Sequence, residues 1–428
     1  MIEPGRAPPP TSLADGRTVV AAEVVSLDAA LSFDAALGRA SVEATLVLLA
    51  EDASVAFDLR QPVASARLDG APVPAASMGH TDLGGGTGAQ MRVLDLGSRG
   101  PHRLELAYEL GTPDVEDPLP VRWAPGRVGF DVWCSDLYPG RYLEQWLPVS
   151  LCQDRFALRL SVAVTGAGSR HSLLSNGQVS TPADHRWEIA WPANATCLSA
   201  LVVLAPDDEL RRAELLGPSG VRVEVSAESI LSDAPVALAE RVAGWLDANQ
   251  TAYGAYHHGD RFIAHAWASA RGMEYDGATT GSVGSLEHEV FHSWFGRGVK
   301  PASANDGWID EAFTTWSTSD HEEAPRLAAM PLGLDEEPVV LCPASPWSRF
   351  TPREAYRMGY RVFADLAARS SVDAVQEAMA QMYRERAGGF LSTAELEVEL
   401  GERLGVDLGP TWDRYVRGLP HTPEQARR

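Results

Sequence analysis

The sequence predicts an α+β fold: an all-β amino-terminal half, a sandwich or saddle-shaped sheet, followed by a mainly helical half. Three observations carry this. Short apolar runs separated by Gly, Pro, Asp and Asn clusters fill residues 19–205. Helical spacing and helix-start signals take over after Pro206. The chain of 428 residues, 45% hydrophobic and 22% charged, has the length and balance of a globular protein of about two or three domains.

Taken in order, residues 1–18 open on the Pro-rich stretch Met1–Thr11 and read as a disordered tail, without the basic start and apolar run of a secretory leader. Residues 19–205 form the β domain, with strands expected at Thr18–Val24, Ala44–Leu49, Leu104–Leu110 and Phe156–Val164. The glycines of Gly84-Gly-Gly-Thr-Gly precede no helix pattern and are expected to be a flexible turn. Residues 206–428 form the second domain. Val221–Ser226 reads as a last strand, and Asp233 as the cap of a helix through Ala234–Leu246, with Pro235 in its first turn. Arg261–Ala266 is a strand, a helix starts near the N-cap Ser285, and Asp310–Ser317 is the next helix. After a loop at Met330–Arg349, Thr351-Pro-Arg-Glu354 and Ser392-Thr-Ala-Glu395 each read as a capping box.

The helix at Ser285 carries His288-Glu289-Val290-Phe291-His292. Histidines four apart share one helix face, about a turn from each other, close enough to hold one metal ion. Glu289 is placed to reach a water on that metal as general base. A catalytic zinc site needs a third protein ligand. The third histidine of the metzincin pattern would fall at Gly298, with Phe295 where its glycine belongs, so that pattern is absent. Glu311 follows at a distance that lets the first helix end and a second return beside it. One Zn²⁺ on His288, His292 and Glu311 is the expected cofactor, since this donor set favours zinc.

The run from His288 to Gly296, followed by Asn305-Asp-Gly-Trp-Ile-Asp-Glu-Ala-Phe313, resembles the aminopeptidase N family of gluzincin metallopeptidases, which includes the leukotriene hydrolases. Gly272-Met273-Glu274-Tyr275 resembles the family's G-x-M-E-N segment, and Tyr356-Arg-Met-Gly359 its Y-x-K-G motif. Val406–Pro420 resembles the segment that closes its catalytic domain. The resemblance implies a thermolysin-like catalytic domain and substrate binding at Gly272, Met273 and Glu274, the last pairing with a free α-amine. It also implies an oxyanion contact from Tyr356, and an acid or amide from the β half that helps hold the amine, for which Glu144 is the candidate. Arg271, Tyr275 and Met358 depart from the family's residues, and the segment between Glu274 and His288 is short. The helical domain that usually covers the cleft is expected to be missing.

The expected activity is removal of the amino-terminal residue from short peptides, with a peptide or aminoacyl small molecule as partner. Two alternatives stand beside it: a hydrolase of the same fold devoted to one amide or to endoproteolysis, and a non-catalytic interaction module on the same scaffold. The net charge of −22 argues against nucleic acid or an anionic membrane as the main partner. No run approaches the length of a membrane span. Scattered Cys134, Cys152, Cys197 and Cys342 fit a reduced cytoplasm. Lys300 is the only lysine. The sequence carries no signature of oligomeric state.

Overall fold

The computed structural model describes residues 7–111, 121–132, 134–151, 154–319 and 338–419. The chain is α+β. Its amino-terminal half is built on an eight-stranded sheet centred on Glu23–Asp34 and Arg39–Ala50. Side chains alternate along these strands, so that Leu27, Ala29, Leu31 and Phe33 all face the core. Phe156–Thr165 runs parallel to Glu23–Asp34, setting Leu158 beside Leu27 and Val162 beside Leu31. A five-stranded and a four-stranded sheet share the same core through Val55, Phe57, Phe130 and Leu204.

The second half opens with another sheet of five strands: Leu210–Leu216, Arg222–Glu228, Arg261–Ala266, Ala278–Gly281 and Met273–Tyr275 in spatial order. Helix Pro235–Tyr253 packs on it with Leu238, Val242 and Leu246 inward, joining the core made by Leu286, Val290, Trp308 and Phe313. Helices Tyr360–Arg369, Val372–Arg386, Thr393–Leu404 and Gly409–Tyr415 complete this half. We propose residue 206 as the boundary between two domains, since sheet membership changes between Val202–Pro206 and Leu210–Leu216. Among the described residues, no helix is long and apolar enough to cross a membrane. Cys134 and Cys197 are buried and Cys342 half-buried, and Cys152 lies outside the described residues.

Several local expectations are corrected. Thr18–Val24 is two strands, not one: Ala22 still donates to Ala56 in the five-stranded sheet, whereas Val24 donates to Asp154 Oδ2 after the chain has crossed to the large sheet. Of the supposedly disordered residues 1–18, Thr11–Ser12 pair with Thr18 and Val19, and Trp347 donates to Thr11 Oγ1. Residues 1–6 lie outside the described ones. The strand at Val221–Ser226 (Arg222–Glu228 in the structure) is not a last strand but the second of the mixed sheet. Ala234 rather than Asp233 stands at the helix start, without a side-chain cap, and the helix runs on to Tyr253.

Ser285 holds the expected place but its side chain does not cap, and the turn after Thr351 starts only at Ala355, with Glu354 rather than Thr351 at its head and no side-chain cap. Ser285 Oγ donates to the Ser282 carbonyl, and the Thr351 N–H donates across the molecule to Asp136 O. Ser392 and Glu395 do form the expected capping box. Of the loop Met330–Arg349, residues 330–337 lie outside the described ones.

The two halves are joined by a buried ion cluster. Arg349 Nη2 lies 2.6 Å from Asp58 Oδ2 and Nη1 3.5 Å from Glu144 Oε1, with Arg60 and His80 also on Asp58. Burial alone would raise the Asp58 carboxyl, but Arg349, His80 and Arg60 hold it well below the usual carboxylate range. Removing one member of a fully desolvated pair leaves the other charge stranded. Arg349→Met is therefore expected to destabilise the fold by about 3 kcal/mol in urea unfolding; a loss under about 1 kcal/mol would show the cluster to be energetically idle.

Candidate metal centre and cleft

Helix Leu286–Phe291 is only a turn and a half long, and His292 at its end keeps helical angles, so His288 and His292 remain on one face. The chain then reverses tightly, with Gly296 donating to Val299 and Arg297 to the His292 carbonyl. Gly296 has φ +110°, and a Cβ there would lie 2.9 Å from Asp310 Oδ2 and 3.0 Å from His292 Nδ1. Only glycine fits both demands. Lys300–Pro301 pairs with Phe390–Leu391, and helix Trp308–Ser317 then carries Glu311 back beside the histidines.

The three expected ligands converge. His288 Nε2 and His292 Nε2 are 3.1 Å apart, and Glu311 Oε2 is 3.3 Å from the first and 3.5 Å from the second. Tetrahedral zinc with N and O donors at about 2.0–2.1 Å spaces those donors about 3.3 Å from each other. The set fits zinc. The other ring nitrogen of His292 faces the Phe295 carbonyl at 3.1 Å and Thr314 Oγ1 at 3.2 Å, the arrangement that turns Nε2 towards a metal. Asp310 supports the pair from behind, accepting the Glu311 N–H at 2.7 Å. Asp306 instead accepts from Thr393 and Ser303, tethering a later helix.

The surroundings are rich in buried carboxylate. Burial first, and then the Glu274 charge, pushes Glu289 well above the usual carboxylate range, with Glu311 adding to the rise and His292 opposing it. Glu289 lies against Gly272, where a Cβ would sit 1.9 Å from its Oε1. Glu274 is on the strand Met273–Tyr275, buried, and bonded through Oε1 to Arg297 Nη2 at 2.7 Å. Strand alternation sends Met273 and Tyr275 the other way, into the core of the β half, so Met273 has its main chain but not its side chain left for the substrate role expected of it.

Tyr356 stands on a π-helical turn, Ala355–Gly359. Its ring stacks on His288, with centroids 6.2 Å apart. Gly359 brings this turn in: a Cβ there would meet Ala312 Cβ at 2.4 Å, one residue from Glu311.

The acid that the β half brings near these carboxylates is not the expected one. Glu144, the sequence candidate from the β half, is committed to the Arg349 cluster. Asp136 is the acid that the β half brings here. It is pushed up by burial and then by the charges of Glu311, Asp310 and Glu274, and its backbone oxygen accepts the Thr351 N–H. Its only sequence signal is a place in the loop after strand Arg127–Asp131.

No family model matches the chain, and no curated protein matches it in sequence. Solved structures do. An M1 zinc metallopeptidase from Deinococcus radiodurans, a mutant bound to a Tyr-Ser-Ala substrate, superposes with a TM-score of 0.65, covering 94% of this chain and 96% of its own at 20% identity. The chain has the fold of the M1 zinc metallopeptidases. Two longer structures share the fold. Legionella pneumophila aminopeptidase A in complex with aspartic acid matches at 0.68 and 13% identity, over 95% of this chain and 50% of its own. Yeast LTA4 hydrolase in complex with bestatin matches at 0.67 and 15% identity, over 94% of this chain and 68% of its own. At these identities the likeness is one of fold.

Proposed function

We propose that the chain is a zinc-dependent aminopeptidase of the aminopeptidase N family, with residues 206–428 as its thermolysin-like catalytic domain. The observation that carries this is the convergence of His288 Nε2, His292 Nε2 and Glu311 Oε2 at zinc spacing, with Glu289 on the same helix and a carboxylate oxygen of Glu274 within 4.8 Å of a ring nitrogen of His292. His288, His292 and Glu311 would hold the zinc, which would supply Lewis acidity for a scissile carbonyl and for a water nucleophilic near neutral pH. Glu289 takes the proton of that water and passes it to the leaving amine. Tyr356, stacked on His288, donates its hydroxyl to the developing oxyanion. Glu274, helped by Asp136, receives the amino-terminal ammonium and so limits cleavage to the first residue. The peptide and amino-acid ligands of the M1 structures support a substrate of this class.

The test compares aminoacyl-coumarin amides with their N-acetylated forms, with and without 1,10-phenanthroline. Activity is expected on free amines alone, restored by zinc after chelation. Equal turnover of acetylated substrates would refute the amine role of Glu274, and turnover that survives metal removal would refute the zinc role.

A further inference from the structure

Arg297 is an arginine with 2% side-chain exposure, placed between the metal helix and the strand carrying Glu274. Its guanidinium makes three contacts there. Nη2 donates to Glu274 Oε1 at 2.7 Å, Nε to the Glu274 carbonyl at 3.2 Å, and Nη1 to the Gly296 carbonyl at 2.6 Å. Its own backbone N–H donates to the His292 carbonyl at 2.9 Å, so one residue ties the end of the metal helix to Glu274 by main chain and side chain together. The hairpin that bears Glu274 is fixed on its far side as well. Lys300 lies 2.6 Å from Asp276 and donates to the Arg297 carbonyl, while Asp276 also takes hydrogen bonds from Ser199 and Asn176 of the β half.

Among the described residues, Arg297 makes the only hydrogen bond to the Glu274 carboxylate, and it occupies Oε1, leaving Oε2 without a partner. It is also the only arginine or lysine, among the described residues, that ion-pairs with any of Asp136, Glu274, Glu289, Asp310 and Glu311. Several carboxylates gathered in one dry place repel each other, so a fixed cation among them decides which rotamer each adopts and how its charge is offset.

We propose that Arg297 is a positioning residue for amine recognition: it locks Glu274 at a set distance from the metal helix with Oε2 presented to a substrate ammonium. The inference rests on the reading of Glu274 as the amine site. A planar guanidinium holding both the side chain and the carbonyl of one residue is a geometry that lysine reproduces only in part. Arg297 touches no reacting atom, so its effect falls on recognition of the amine and not on the metal.

The test measures binding of L-leucinol and N-acetyl-L-leucinol, neither of which carries an amide that the proposed activity would cleave, by calorimetry to zinc-loaded wild type, Arg297→Met, Arg297→Lys, Glu274→Gln and the Glu274→Gln/Arg297→Met double variant. Zinc content and a thermal melt are recorded for each. Arg297→Met is expected to weaken the free amine by about 30-fold or more and the acetylated ligand by less than about 2-fold, with one zinc retained. Arg297→Lys is expected to recover part of the loss. In the Glu274→Gln background, where no carboxylate is left stranded, Arg297→Met is expected to change nothing further. An Arg297→Met protein that keeps its preference for the amine would overturn the proposal, as would equal losses for both ligands or a full second loss in the double variant. Wild type that prefers the amine yet hydrolyses no aminoacyl amide overturns the peptidase reading and leaves Arg297 its role. Wild type without any amine preference overturns both.

Discussion

Glu289→Gln is expected to retain its zinc and to slow turnover by about 10³- to 10⁴-fold, with little change in KM. The geometry makes this a clean substitution. Glu289 follows His288 on the metal helix, is 7% exposed, and packs against the bare Cα of Gly272. Glutamine has the same shape, so packing survives while the ability to take a proton is lost. Neither nitrogen nor oxygen of the ligand set is touched, which separates the chemical step from metal binding. Metal analysis together with steady-state kinetics checks it. A variant with zinc bound and kcat within tenfold of wild type would remove Glu289 from the reaction. Loss of zinc would mean that the carboxylate supports the metal rather than the proton transfer.

The residues that were legible in the sequence are those whose chemistry depends on local spacing. His288 and His292 sit on one face because a helix repeats every 3.6 residues, and Glu311 returns because 18 residues leave room for a reversal and a new helix. The Ser392 box was legible for the same reason, since cap and glutamate are within one turn. What was not legible depends on contacts between distant segments. Asp136 is an ordinary loop acid until Thr351 binds its carbonyl and the fold brings Glu311 close to it. Glu144 looked available for the amine because its partner Arg349 lies some two hundred residues away, and nothing local announces that pair.

The failed caps belong to the same class. Thr351 had the right neighbours for a capping box, yet its N–H is spent on the β half, and the next turn widens into a π-helix instead of starting as a regular α-turn. Arg297 was the nearest to being readable. A charged residue inside the otherwise apolar and glycine-rich run Trp294–Val299 is costly to bury, so it implies a buried partner. The sequence does not say which.

That π-turn leads to the second large effect. Tyr356→Phe is expected to lower kcat by about 10²- to 10³-fold while leaving zinc content and KM nearly unchanged. Tyr356 lies on this wide turn, and Gly359 lets it approach the Glu311 helix to within a contact that no side chain could share. The ring is held over His288, beside the place where oxyanion charge would develop on the proposed metal. A donor already in position costs no reorganisation when that charge appears, so its removal acts on the transition state and not on ground-state binding. A tetrahedral phosphinic peptide analogue should therefore lose affinity in proportion to kcat/KM, whereas a simple amino-acid amide should not. Tyr360, one turn on, supplies the control. Its hydroxyl is buried without a hydrogen-bond partner, so Tyr360→Phe removes an unmet polar group and is expected to leave kcat alone and stability unchanged or improved. If Tyr356→Phe behaved as Tyr360→Phe does, the hydroxyl over His288 would be structural, and oxyanion stabilisation would have to come from elsewhere in the cleft.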